Sequence, residues 1–237
     1  MGISNVASNL RPGICTSTTR PTTPYEGQVI YETDTNRTLV WDNSAWVDPS
    51  TGQTQRSGLV KMKPNAVSTG ATINTDGSVT FSGQVSYEIR EVFTSSFDNY
   101  RIIISNFMSG GTTTRNIAMQ LMAGTTAATG SNYNYGAYYI YSTTVGNFAQ
   151  VNQSDFRIGG SSNQAGAVGN YVIDVIEPNI ARKTSMQYTS TTYEAAVTQY
   201  VFRTGYCAHW LDTAYNGFKL FGTTDNIEGK ITVYGYN

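Results

Sequence analysis

The sequence is poor in charge, leucine, histidine, cysteine and long apolar runs, and each shortage removes a class of function. Charged residues make up 13% of the 237 positions, about half the usual share. Fifteen Lys and Arg stand against 16 Asp and Glu, for a formal charge of -1 and a pI near 5.8. A chain that held nucleic acid by its phosphates would show clustered basic residues and a basic pI, so no nucleic-acid partner is expected. The longest aliphatic stretch, Ile102-Ile103-Ile104, is far shorter than the roughly 18 residues a membrane helix needs, and no membrane insertion is expected. Residues 1 to 6, Met-Gly-Ile-Ser-Asn-Val, show no basic n-region followed by an apolar h-region, so a cytoplasmic product without a secretory signal is expected. Cys15 and Cys207 are too few for a disulfide framework and are expected as free thiols.

What the sequence does contain favours strands. Threonine is abundant, and 23 glycines and 17 tyrosines suit strands and turns better than helices. The fold class expected is all-β: an N-terminal extended arm and β-hairpin, then a C-terminal β-sandwich of jelly-roll type. Residues 1–24 are polar, and Arg11-Pro12-Gly13 and Arg20-Pro21-Thr22-Thr23-Pro24 impose extended backbone. This arm is expected to lie against something larger, such as another chain. Residues 25–50 hold two β-prone runs, Gln28 to Glu32 and Arg37 to Trp41, separated by the loop-forming Thr33-Asp34-Thr35-Asn36. A hairpin alone is marginal in water, so Trp41 and Trp46 are expected to need an outside partner. Residues 51–77 are Ser-, Thr- and Gly-rich and are expected as a linker with brief strands at most. From 78 to 237 short strand candidates recur with turn signals between them, the pattern of a sandwich.

Candidate chemistry is thin. His209 is the only histidine, and it sits inside a strand candidate two residues from Cys207, so one base and one thiol share a face. Two ligands make no zinc site, and a structural histidine is the expectation. Glycoside cleavage needs two positioned carboxyls; Glu88 and Glu91, or Asp174 and Glu177, are three apart and face opposite sides of a strand. Asp34-Thr35-Asn36 lacks the rest of a calcium loop and is expected as a turn. No catalytic residue, metal or cofactor is therefore expected. The one suggestive excess is Tyr133, Tyr135, Tyr138, Tyr139 and Tyr141 within nine positions, interleaved with amides. Such rings suit contact with a glycan or with a neighbouring subunit.

The segment from Thr18 to Thr35, containing Arg20-Pro21, Pro24-Tyr25-Glu26-Gly27-Gln28 and Ile30-Tyr31-Glu32-Thr33-Asp34-Thr35, continues into Leu39-Val40-Trp41 and Ala45-Trp46-Val47. It resembles a stretch recurrent in structural proteins of tailed bacteriophages, among them fibres, minor tail proteins and head-surface proteins. Ser96 to Ile104, Thr129 to Tyr133 and Ile227 to Gly235 resemble, more diffusely, a β-sandwich common at the ends of such proteins. The resemblance implies a non-enzymatic virion protein, homotrimeric, partnered by other virion proteins and in contact with host surface glycan. Neither heptads nor a repeated shaft is present, which favours a short fibre or spike tip; a capsid decoration protein and a polysaccharide-degrading tailspike are the rival readings. Tyr25, Ile30, Tyr31, Trp41 and Trp46 are the residues expected to anchor the chain to the particle and to sister subunits.

Overall fold

The computed structural model describes residues 12–49, 58–161 and 168–237, and it divides the chain into two compact units, Met1–Arg56 and Ser57–Asn237. Residues 1–11 of the expected arm lie outside the described residues. No helix occurs among those described.

The first unit is a four-stranded sheet of β1 (Gly13–Cys15), β2 (Val29–Glu32), β3 (Arg37–Trp41) and β4 (Trp46–Val47), in that order. The described part of the arm has a place within its own unit: β1 pairs in parallel with β2, Ile14 opposite Tyr31. The reason is local chemistry. Ser17 donates from its backbone N–H and its hydroxyl to the Asp34 carboxylate at 2.6–3.1 Å. Arg20 pairs with Glu32, and the Thr35 hydroxyl donates to that carboxylate at 2.7 Å. The Asp34-Thr35-Asn36 segment is the turn expected, with Asn36 at φ +54°, a conformation asparagine tolerates. Ile30 and Leu39 stand opposite each other in register and are buried. The hairpin therefore has a small interior of its own.

The second unit begins earlier than expected. Residues 58–77 are not a linker: β5 (Val60–Met62), β6 (Ala66–Val67) and β7 (Ala71–Ile73) join the sandwich. After them come β8 (Val79–Gln84), β9 (Ser86–Arg90), β10 (Asn99–Ser109), β11 (Arg115–Ala123), β12 (Thr126–Ala127), β13 (Tyr133–Tyr141) and β14 (Thr144–Gln153). The last six are β15 (Phe156–Ser161), β16 (Gly169–Ile176), β17 (Arg182–Glu194), β18 (Gln199–Thr213), β19 (Gly217–Gly222) and β20 (Ile227–Tyr236).

They form two sheets. One runs β14-β13-β18-β17-β16-β10-β20-β8-β7, with β5 also on β20; the other runs β12-β11-β19-β9-β6, with β15 on β11. Every strand pair in these two sheets is antiparallel. The inner faces alternate cleanly: β17 reads buried at every second residue from Thr184 to Glu194, as a half-buried strand must. Rings from both sheets meet between the layers, Phe156 of β15 against Tyr188 of β17, and Phe93, in the loop after β9, packs against both Tyr100 of β10 and Phe218 of β19. All-β sandwich architecture is thus what the composition implied.

Candidate functional site

Strand β13 carries the five tyrosines, and its alternation separates them. Tyr133 and Tyr135 are 0% and 3% exposed, so both rings belong to the core, and of the two only Tyr135 also lines the cleft described next. Leu121 donates its N–H to the Tyr133 hydroxyl at 2.8 Å. Farther along the same inward face, where the layers part, Tyr139 and Tyr141 are only half-buried; their rings lie near-parallel at 8° with centroids 6.1 Å apart. Tyr138 faces the opposite way and is 64% exposed.

Tyr139 and Tyr141 border a cleft of about 450 Å³ between the end of β13 and β15, within the size range of small-ligand sites. Arg203 of β18 places its guanidinium 5.9 Å from the Tyr139 ring centre and forms an ion pair with Glu194 of β17, both side chains largely buried. Gly159 and Gly160 of β15 form part of the wall. Gly159 sits at φ +140°, and a Cβ on Gly160 would come within 2.8 Å of the Glu194 carboxylate, so side chains there would close the cleft. Gln150 of β14 and Arg157 of β15 complete the polar lining.

The electrostatics of the cleft are balanced. Arg203 faces Glu194, and Arg157 faces Asp155 at 3.7 Å, leaving no net charge to attract an ion. Two shielded polar atoms on its wall make no hydrogen bond within the protein, the Tyr135 hydroxyl, which is unpaired, and Arg157 Nε, which has only the long ion pair to Asp155. Burial pushes the Tyr135 phenol up, partly offset by Arg157, so it remains a neutral O–H that can donate and accept. Such groups cost about 1–3 kcal/mol when unpaired, which a hydroxyl-bearing ligand would offset. Near-parallel rings, amides and neutralised guanidiniums are the chemistry of uncharged polar ligands with flat apolar faces.

The remaining sequence candidates fall elsewhere. His209 is fully buried, its Nδ1 3.2 Å from the Tyr215 hydroxyl and its ring edge-on to Tyr133; burial pushes its pKa down. Cys207, on the same inward face, has its thiol pushed up by burial, which makes it a poor nucleophile. Both cysteines are free. Among the described residues no cluster of three His, Cys, Asp or Glu could hold a metal. Glu88 pairs with Arg90, Glu177 with Arg182, and Asp174 takes a two-pronged bond from Arg101 at 2.8 and 2.9 Å. These acids are structural.

Of the five residues expected to anchor the first unit, Ile30 is 1% exposed and belongs to its interior. Trp41 and Trp46 are partly covered by each other, edge to face at 5.5 Å; their need for a partner is met in part within the unit. Tyr25 is 70% exposed, with Ile14, which sequence reasoning missed, at 74%. Cleft residues Gln150, Arg157, Glu194 and Arg203 were likewise missed, since no local motif links strands so far apart in the chain.

No family model and no curated protein matches this chain. Among solved structures it is similar to the carbohydrate recognition domain of Emp47p, at 12% identity and a TM-score of 0.29, over 76% of this chain and 95% of that one. It is also similar to a seed lectin isoform of Lotus tetragonolobus, at 7% identity and a TM-score of 0.24, over 76% of this chain and all of that one. At such scores no ligand or site is carried over.

Proposed function

We propose that this chain is a non-enzymatic structural protein of a tailed-bacteriophage particle: a short oligomeric surface appendage, attached through residues 1–56, whose sandwich contacts host saccharide through the cleft beside Tyr139. One observation carries the attachment half of this reading. The stretch that resembles phage structural proteins, Thr18 to Val47, falls inside a unit that is compact apart from the sandwich, and that unit exposes Ile14, Tyr25 and Val29. A separable module with apolar side chains on its surface is suited to docking on a larger assembly.

The cleft supports binding without cleavage. Among the described residues Glu194 is the only carboxylate on its wall, and it is tied to Arg203, whereas glycoside hydrolysis uses two carboxyls, one of them free to protonate the leaving oxygen. The stacked pair Tyr139 and Tyr141 would take the apolar face of a neutral sugar ring, and Gln150, Arg157 and the Tyr135 hydroxyl would meet its hydroxyls.

Two measurements test this. In a phage that encodes the chain, deleting residues 1–56 is expected to leave particles without the sandwich; normal incorporation would refute the attachment. Purified full-length protein titrated against neutral host polysaccharide is expected to bind without releasing reducing ends, and Tyr139→Ala to weaken binding about ten-fold, or about 1.4 kcal/mol. Released reducing ends would favour the tailspike reading, and a copy number of hundreds per particle the decoration reading.

A further inference from the structure

The face of β13, β14 and β18 that points away from the core has no role in the cleft, yet it is the most apolar exposed surface of the sandwich. Tyr138, Phe202, Tyr206 and Trp210 are 64%, 44%, 61% and 52% exposed, and Ile140 and Val145 are 46% and 68%. Five of them are contiguous, and Trp210 lies on the same face of β18, four residues beyond Tyr206. Ile140 stands in register with both Phe202 and Val145, Tyr138 with Thr204, and the Tyr206 ring lies over Gly136. The next strand ends the patch, because β17 sets Gln187, Thr189 and Thr191 beside Tyr206, Thr204 and Phe202.

Two further observations concern the occupant. β14 closes the sheet as an edge strand of ten residues without a single charge or proline, and solitary edges are normally guarded by such residues. Arg203, the one charged residue of β18 within the patch's span, turns inward to Glu194. The face therefore offers a charged partner nothing to pair with, whereas an identical face matches it in polarity and bears no like charge. The exposed parts of the six side chains come to roughly 500–600 Å², taking about 150–250 Å² for a whole aromatic. With the flanking Thr204, Asn147 and Gln187 this approaches the roughly 800 Å² per partner of a standard interface. Aromatic-rich, charge-depleted centres are typical of contacts between like subunits.

We propose that this outward face is where a second copy of the chain packs, sheet upon sheet, with Phe202 and Tyr206 near the centre of the contact. It is a separate surface from the N-terminal attachment and from the cleft, and it stands or falls without either.

Sedimentation equilibrium of the full-length chain across about 1–100 μM, a range that spans ordinary subunit affinities, tests it. The expected result is a mass at least twice the 25.8 kDa of one chain. The pair Phe202→Glu and Tyr206→Glu should raise the dissociation constant at least about 100-fold through buried like charges, while the far-ultraviolet circular dichroism stays the same. A monomer at every concentration, or a mass that survives the double substitution, overturns the proposal. So does an association lost on Trp41→Ala and Trp46→Ala but indifferent to Phe202 and Tyr206. Should the glutamates prevent folding, the chain carrying only Trp41→Phe and Trp46→Phe leaves Trp210 as the sole tryptophan. Its emission should shift to the blue as concentration rises, and emission independent of concentration equally overturns the proposal.

Discussion

The two units of this chain solve the same problem by different means. The sandwich buries a continuous cluster that includes Tyr87, Phe107, Phe156, Tyr171 and Phe218, all at 0% exposure. The N-terminal sheet buries little more than Ile30 and Leu39 among its apolar side chains, and secures its turns with carboxylates. Asp42 accepts from Ser44 and Ala45 at 2.7–2.8 Å, Asp34 from Ser17, and Glu32 from Arg20 and Thr35. A fold held by area responds to acid only through the few titratable groups it buries, whereas one held by surface carboxylates responds when those carboxylates take up protons. The contrast teaches that a small sheet can acquire definite shape from loop chemistry while remaining less stable than its larger neighbour.

The sharpest way to break the comparison is in the cores. Phe107→Ala, a truncation between the layers, is expected to cost the sandwich about 3–5 kcal/mol, measured by urea unfolding. Ile30→Ala should cost the small unit about 2 kcal/mol, the low end for such a deletion, because its interior is shallow. Equal losses would mean that the small unit is buried more deeply than its own residues provide.

Acid should separate the units next. His209 is buried neutral with its folded pKa pushed down, so the unfolded sandwich binds the extra proton. Sandwich stability is therefore full above the ordinary histidine value near 6.5 and falls as pH drops below it, by at most about 1.4 kcal/mol per pH unit. Glu32 is held below the usual carboxylate range by hydrogen bonds from Arg20 and Thr35. Its contribution is present above about 4.5 and is lost as pH falls through the lowered folded value. Thermal melts at pH 7, 5.5 and 3.5 should then show the sandwich weakening in the first step and the small unit only in the second. His209→Gln should abolish the first step; its persistence would assign the acid response to another group.

The smallest effect expected is at the tryptophan pair. Trp46→Ala removes one edge-to-face contact worth about 1 kcal/mol and should lower the small unit's melting point while leaving the sandwich unfolding curve in place.

Much of the fold was legible because strand chemistry is local. Tyr171 to Ile176 and Phe218 to Phe221 declare themselves by β-branched and aromatic alternation, and they lie within β16 and β19. Strand β18 runs unbroken from Gln199 to Thr213 through Gly205, a residue type that weakens a strand interior. Gly205 is small for a packing reason: a Cβ there would collide with the Tyr188 ring and sit 2.7 Å from the Gly136 carbonyl. Strand β14 escaped notice since Val145, Phe148 and Val151 are three apart, off the period of two, and its pairing with β13 contains a bulge. The short strands β5 to β7 read as linker because their partners, β20, β9 and β8, and not their own composition, hold them.

The site was legible only in part. The tyrosine excess pointed to the right strand, but depth along that strand depends on how far the two layers stay closed, which is a tertiary property. So Tyr133 became core, Tyr135 kept its ring in the core and met the cleft only at its wall, and Tyr139 and Tyr141 opened onto it. Arg203 and Glu194 meet through a hairpin between β17 and β18, with Glu194 in register with Gln199, and nothing in their spacing announces a shared wall.

In β13, adjacent positions belong to different neighbourhoods: Tyr139 looks into the hollow, while Tyr138 and Ile140 look out at whatever covers the sheet. Codons side by side thus answer to unrelated pressures. Under the roles proposed for the two faces, selection can retune what the hollow grips without loosening what the outer surface joins, and a lineage could change its target many times while keeping its assembly intact.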